Sequence, residues 1–182
     1  ICHETICSTI DKNIDIPPHK YLNKIQKDFS QKLSENNKYI GGMDLSLVQI
    51  DKKNNTLKFS GARNFGYLIQ DGNVKVLKNS KFSIGFRSDV QTLPKINSEV
   101  ISLSNKCTLY LFSDGFINQK GGKENKKYYN YRFKSFLENL EKTPIELQKT
   151  EIEREFKGWK RENLQGDDVM IFGLILDQFS IN

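Results

Sequence analysis

Histidine is nearly absent from this chain. His3 and His19 are the only two among 182 residues, and the second half has none. No GxSxG or GxxxxGK[ST] segment occurs either. A Ser-His-Asp hydrolase and a P-loop nucleotide enzyme are therefore excluded as readings. Long apolar runs are missing too: no stretch of about 18 apolar residues reads as a membrane-spanning helix. The opening ICHETICSTIDKNID has no basic segment followed by a long apolar one, so it does not read as a signal peptide. Cysteine is scarce, with Cys2, Cys7 and Cys107 an odd set without a CxxC pair. Free thiols in a reducing, cytosolic compartment fit this usage. Cys2, His3 and Cys7 are close in sequence, but His19 is distant and no second cysteine pair follows, so zinc is not expected. Internal repeats and low-complexity segments are also lacking.

What is present is enough for a core. The chain has the length of one ordinary domain, with 37% apolar and 27% charged residues. Lysine and arginine number 28 against 22 aspartates and glutamates, a net charge of +6. Most lysines are scattered, among them Lys12, Lys27, Lys52, Lys78, Lys95 and Lys160, and read as a solvated surface. Only Lys120 to Lys127 forms a dense basic stretch. It reads as an exposed, loop-like insertion, and although Tyr128, Tyr129 and Tyr131 follow it, nucleic-acid binding is not expected.

Ile1, Ile6 and Ile10 place residues 1 to 12 as the tail of a helix that starts without a cap, so the chain reads as a piece of something longer. After Pro17 and Pro18, Leu22, Ile25, Phe29 and Leu33 fall at helical spacing and predict a helix from His19 to Glu35, broken by Gly41 and Gly42. Asp44 to Ile50 and Thr56 to Ala62 form a hairpin. Gly66 to Gln70 and Val74 to Leu77 form another around Asp71-Gly72-Asn73. Glu99 to Leu103 and Thr108 to Phe112 are further strands. Tyr131 to Leu140 is a helix. A second helix opens with Thr143 as N-cap, Pro144 at the first position and Glu146 at the third, a capping box. Ile145, Ile152, Phe156 and Trp159 line its inner face. Val169 to Leu176, apolar on both faces, reads as a central strand covered on both sides. The fold class is α+β, an antiparallel sheet region with helices packed on it.

The notable polar groups are carboxylates at strand ends. Leu109-Tyr110-Leu111-Phe112-Ser113-Asp114-Gly115 runs an apolar strand into an aspartate. Gly166-Asp167-Asp168-Val169 puts two more at the start of the last strand. If these strands are antiparallel neighbours, Asp114 and Asp167 meet at one edge of the sheet. Carboxylates clustered there repel unless protonated or joined by a cation, and oxygen ligands suit Mg²⁺ or Mn²⁺. Each motif alone is equally a turn or a strand start.

The segment LYLFSDGFINQKGGKENKKYYNYRFKSFLENL resembles the one that carries a metal-binding aspartate in the metal-dependent Ser/Thr phosphatases. The similarity is to the SpoIIE-like branch of the type-2C (PPM) superfamily, and it continues through GGMDLSLVQID, LKFSGARNFGYLIQDGNVKVLK, SIGF and GWKRENLQGDDVMIFGLIL. It spans the chain as a single domain over residues 1–182, the C-terminal portion of such a phosphatase. The resemblance implies two stacked antiparallel sheets flanked by helices in α-β-β-α layers. It implies Asp114 and Asp167 as catalytic metal ligands, Asp168 as a supporting group able to trade places with Asp167, and Gly115 as the residue permitting a tight backbone beside Asp114. Gly42 and Asp44 match a segment close to the metals, and Asn64 a position lining the substrate cleft. The family's upstream metal aspartates and DxxGHG-type motif are not in this sequence, which favours a cut-down piece over a degenerate relative.

In the family two Mg²⁺ or Mn²⁺ ions about 4 Å apart activate a water that attacks phosphorus in line, with no phosphoenzyme. The implied substrate is phosphoserine or phosphothreonine on a small regulatory protein resembling an anti-anti-sigma factor. The positive charge favours such an anionic partner. An upstream sensor or signalling region, a homodimer through exposed apolar surface, and a cytoplasmic location, as the cytosolic part of a membrane-anchored sensor or otherwise, are further expectations. So is weak or absent activity for this chain alone. The helix from His19 to Glu35 matches part of a helix pair that transmits regulation in this branch. The rival reading is a non-catalytic interaction or regulatory module on the same fold.

Overall fold

The computed structural model describes residue 6 and residues 16–35, 42–85, 95–104 and 106–177. Cys2, His3, Cys7 and most of the expected N-terminal helix lie outside the described residues; Ile6 is helical. The described elements are α1 (Pro18–Glu35), β1 (Leu45–Asp51), β2 (Thr56–Ala62), β3 (Gly66–Gln70), β4 (Asn73–Leu77), β5 (Glu99–Ser102) and β6 (Lys106–Phe112). They continue with α2 (Gly115–Asn118), β7 (Lys120–Gly121), β8 (Lys126–Lys127), α3 (Asn130–Leu140), α4 (Ile145–Lys160) and β9 (Ile171–Asp177). Every registered strand pair is antiparallel, and the class is α+β. The chain divides into two compact units, one of residues up to Phe65 with Leu77–Leu103, the other of Gly66–Val76 with Ser104–Gln178.

In the first unit, β1, β2 and β5 form a three-stranded sheet in the order β1-β2-β5. The β1–β2 register runs from Leu45 opposite Ala62 to Asp51 opposite Thr56. At the turn, Asp51 accepts from the Asn54 side chain (2.7 Å) and backbone N–H (3.0 Å), and these bonds hold its carboxyl below the usual range. Helix α1 begins with Pro18, whose fixed φ suits the first helical position. Leu22, Ile25 and Phe29 are buried in one cluster with Ala62, Ile84 and Ile96. Polar bonds fix the helix beside them. Asn23 exchanges two bonds with the backbone of Ile96 (2.9 and 3.0 Å), and His19 Nδ1 lies 2.8 Å from Ser98 Oγ, itself 2.8 Å from Ser60 Oγ.

In the second unit the sheet order is β4-β3-β6-β9. Asp71 and Gly72, with φ of 50° and 75°, make the two-residue turn between β3 and β4. That turn matches the right-handed twist of the strands it joins. A run of aromatic contacts leads from the sheet into the helices. Tyr67 stacks on Phe112 (5.4 Å), Phe112 meets Phe133 edge-on (4.8 Å), and Phe116 contacts Phe133 (4.9 Å), Tyr128 (5.0 Å) and Phe156 (5.0 Å).

Four expectations need correction. The capping box does not form: α4 starts at Ile145, and Pro144 is its N-cap with ψ of 140° and no side-chain cap bond. The extended Pro144 starts the helix one residue late, leaving the Thr143 hydroxyl too far back to cap it. Ile145 is 39% exposed, and the residue α4 buries fully is Gln148. Its amide joins Tyr110 Oη (2.9 Å), Leu140 O (3.2 Å) and Thr143 O (3.0 Å). Nothing in the apolar periodicity marks a glutamine as the inward group. The last strand is not central: among the described residues β9 pairs only with β6, and Phe172 and Ile175 are 51% and 39% exposed. An apolar run looks the same in sequence whether its strand lies inside a sheet or at its edge. The Lys120–Lys127 stretch is a short β7–β8 hairpin rather than a plain loop.

Truncating the ring at the centre of the aromatic run, Phe133→Ala, is expected to cost about 3–5 kcal/mol in denaturant unfolding. Burial pushes the phenols of Tyr67 and Tyr110 up to about 12. An unfolded tyrosine titrates near 10, so the native state keeps protons that the unfolded state has lost. That stability is fully present below about pH 10 and is lost as pH rises through about 12. Ultraviolet titration should show two phenol classes, the later one ionising together with unfolding.

Candidate metal centre

Asp114 lies at the point where β6 gives way to α2. The register Phe112 opposite Ile171 is carried one pair further, because Ser113 N–H donates to Met170 O (2.9 Å). The Ser113 side chain closes the end of the ladder. Its Oγ accepts from Met170 N–H (2.9 Å) and donates to Asp168 O (2.9 Å). The two carboxylate-bearing segments are thereby held side by side.

Gly115 makes this approach possible. A Cβ there would overlap the Asp168 carbonyl oxygen and stand 2.9 Å from the Asp168 carbonyl carbon. Only a hydrogen fits between the two chains, which accounts for glycine after Asp114. Asp114 Oδ2 accepts from Asn118 Nδ2 (2.8 Å), one turn along α2. Asn118 Oδ1 accepts from Lys127 Nζ (2.9 Å) on β8. An ammonium can only donate, so the lysine fixes which end of the amide faces Asp114. Oδ1 of Asp114 remains open to a ligand.

Asp167 and Asp168 behave differently. Asp167 turns one oxygen onto the Asp168 N–H (2.7 Å), while its carbonyl accepts from Gln165 Nε2 (2.8 Å). The Asp168 carboxylate has no hydrogen-bond partner among the described residues. Asp114, Asp167 and Asp168 are all exposed and, among the described residues, none is ion-paired, although the chain carries a net charge of +6. Three unpaired carboxylates on adjoining strand ends, without thiol or imidazole, suit a hard cation such as Mg²⁺ or Mn²⁺ in donor chemistry. No three acidic, histidine or cysteine side chains among the described residues converge into a metal-sized group. The donors fit such an ion in kind and supply part of a shell.

The other predicted residues belong to the first unit. Asp44 accepts from the Ser83 hydroxyl and lies 4.0 Å from Arg63 Nε. Gly42 is exposed and precedes Met43, which bridges Ile84 by two backbone bonds (2.8 and 2.9 Å). The Asn64 carbonyl accepts from Ser46 Oγ (3.2 Å). Sequence reading missed Ser113, Asn118 and Lys127. The i, i+4 spacing of Asp114 and Asn118 was a usable signal for the second of these.

A family model described as "Stage II sporulation protein E (SpoIIE)" matches residues 4–176. No curated protein matches. Among solved structures, the SiaA-PP2C domain of Pseudomonas aeruginosa is 25% identical with a TM-score of 0.85, covering 97% of this chain and 68% of that one. The phosphatase domain of SpoIIE from Bacillus subtilis is 14% identical with a TM-score of 0.63, covering 100% and 76%. The catalytic domain of the serine threonine protein phosphatase PstP, in complex with two manganese ions, is 12% identical with a TM-score of 0.63, covering 97% and 81%. The last two speak to the fold alone.

Replacing Gly115 by alanine should force the two strand ends apart, costing roughly 1–3 kcal/mol and weakening Mn²⁺ binding. Asn118→Ala should leave thermal stability nearly unchanged and lower Mn²⁺ affinity several-fold. Calorimetry with Mn²⁺ and thermal melts of both variants check this pair of outcomes.

Proposed function

The chain belongs to the Stage II sporulation protein E (SpoIIE) family, and from that we propose that it is a metal-dependent phosphatase domain acting on phosphoserine or phosphothreonine of a regulatory protein. The observation that carries this reading is the joining of the Asp114 and Asp168 strand ends through Ser113 and Gly115, with their carboxylates exposed and unpaired. Asp114 and Asp167 would hold the metal, with Asp168 as the supporting group able to trade places with Asp167. When bound, the metal supplies Lewis-acid activation of water and charge stabilisation at the phosphoryl group.

The protein's own part is positioning. Asn118, itself held by Lys127, fixes Asp114 through one carboxylate oxygen and leaves the other without a hydrogen-bond partner among the described residues. Ser113 spaces the two segments through both of its hydrogen bonds, and no side chain at Gly115 intrudes. Covalent catalysis is not needed when a metal-activated water attacks. The same reading takes a small phosphorylated signalling protein of anti-anti-sigma type as substrate and places the chain in the cytoplasm. Its one described cysteine, Cys107, is a buried free thiol, in keeping with a reducing compartment.

The test is a calorimetric Mn²⁺ titration of the full chain alongside Asp114→Asn, Asp167→Asn and Asp168→Asn. Affinity should fall at least about tenfold in Asp114→Asn, equivalent to about 1.4 kcal/mol, and in one or both of the others. Hydrolysis of a phosphoserine peptide, expected to be weak in this chain alone, should fall in parallel wherever it is measurable. Mn²⁺ binding unchanged in all three variants would overturn the reading.

A further inference from the structure

Of the basic stretch between Asp114 and α3, only Lys127 takes part in the candidate metal centre; the other lysines have no part in it. In the structure the stretch forms one wall of a surface cavity of about 450 Å³, the other wall being the C-terminal turn of α4. We propose that this cavity is a docking site for an acidic segment of the phosphorylated partner. The proposal rests on the phosphatase reading for where the docked segment leads; the preference for an acidic chain follows from the cavity itself.

Four cations line it: Lys123, Lys126, Arg132 and Arg161. Two acids share the wall, and both are engaged. Glu124 pairs with Lys126 (2.6 Å), and Glu155 accepts the Tyr128 hydroxyl (2.7 Å). Burial, and then that bond to Glu155, raise the Tyr128 pKa, so the phenol remains a donor. Lys123, Arg132 and Arg161 have no ion-pair partner among the described residues.

Arg132 is pre-positioned. Its guanidinium lies 4.9 Å over the Trp159 ring and 5.4 Å over Tyr131, and Nε donates to Tyr131 Oη (3.1 Å). Held beside these rings, the guanidinium keeps its two terminal nitrogens as a fork suited to a carboxylate or phosphate. A helix C-terminus ordinarily repels an anion through its free carbonyls. Here Trp159 O accepts from Gly122 N–H and Lys157 O from Arg161 N–H, each at 2.9 Å. Gly121 allows this closeness, since a Cβ there would overlap the Trp159 carbonyl.

A nucleic acid fits less well. Trp159 packs against Gly122 and lies 4.9 Å from the Arg132 guanidinium, and its Nε1 donates to Gln119 O (2.9 Å), so the indole is already engaged by the protein. The site also adjoins the candidate centre. Lys126 lines the cavity, and the next residue, Lys127, reaches Asp114 through Asn118 by two hydrogen bonds.

Trp159 is the only tryptophan in the chain, so its emission reports occupancy directly. The probe is a synthetic peptide with one phosphoserine flanked by aspartates. The control has serines in place of the aspartates. Both are titrated at about 150 mM salt with no added metal. The acidic peptide should change Trp159 emission and bind about tenfold less tightly to Arg132→Gln or Arg161→Gln. Lys123→Gln, in the exposed hairpin turn, tests the charge without disturbing the aromatic stack and should weaken binding about two- to threefold. Equal affinity for both peptides overturns the proposal. So does unchanged binding in Arg161→Gln and Lys123→Gln, or tighter binding of a single-stranded oligonucleotide than of the acidic peptide. Hydrolysis with unaltered KM in these variants overturns docking alone. Intact peptide binding together with Mn²⁺ binding unchanged in Asp114→Asn, Asp167→Asn and Asp168→Asn counts against the phosphatase reading and leaves docking standing.

Discussion

The burial of one ring, that of Phe116, organises the second unit. It follows Asp114-Gly115 directly and contacts Phe133 of α3, Phe156 of α4 and Tyr128 after the hairpin. Aromatic pairs at such separations add to the area they bury. A chain leaving β6 therefore has little choice about where its next residues go. Asp114 stays at the sheet end because the residue two places on is held in the core. The site's geometry is thus a by-product of packing, and the polar bonds of Ser113 and Asn118 refine it.

Much of the fold was legible in the sequence where period and turn chemistry agreed. Leu22, Ile25 and Phe29 defined α1, and Asp71-Gly72 defined a hairpin, because each depends on neighbours a few residues away. What was not legible depended on distant partners. Gln148 is inward only because Tyr110, on another element, needs an acceptor. The edge position of β9 is likewise a fact about which strands pair, and its own apolar residues do not encode it. In the candidate site, the aspartates stand out by type and place in the chain. Ser113 acts through Asp168 and Met170, more than fifty residues away, and no local pattern shows such a contact.

Charge is sorted around that sheet end. The exposed aspartates Asp114, Asp167 and Asp168 are left unpaired among the described residues, while cations gather on the adjoining hairpin, at Arg132 of α3 and at Arg161 just after α4. Lys127 joins the two regions without neutralising Asp114, since it acts through a neutral amide. An ammonium in direct contact with the carboxylate would compete with a metal. Relayed through Asn118, it orients the group and leaves the charge available.

Among the described residues β9 is an edge strand, and its composition bears on behaviour in concentrated solution. Between Lys106 opposite Asp177 at one end and Asp168 at the other, the strand Ile171–Leu176 carries no charge. Successive side chains point to opposite faces of a strand, so Phe172 and Ile175 make the margin sticky on both. Natural edge strands commonly guard against intermolecular pairing with an inward lysine, a proline or a bulge. With none of these in that run, colloidal stability depends on repulsion between like-charged molecules, a protection that added salt screens away.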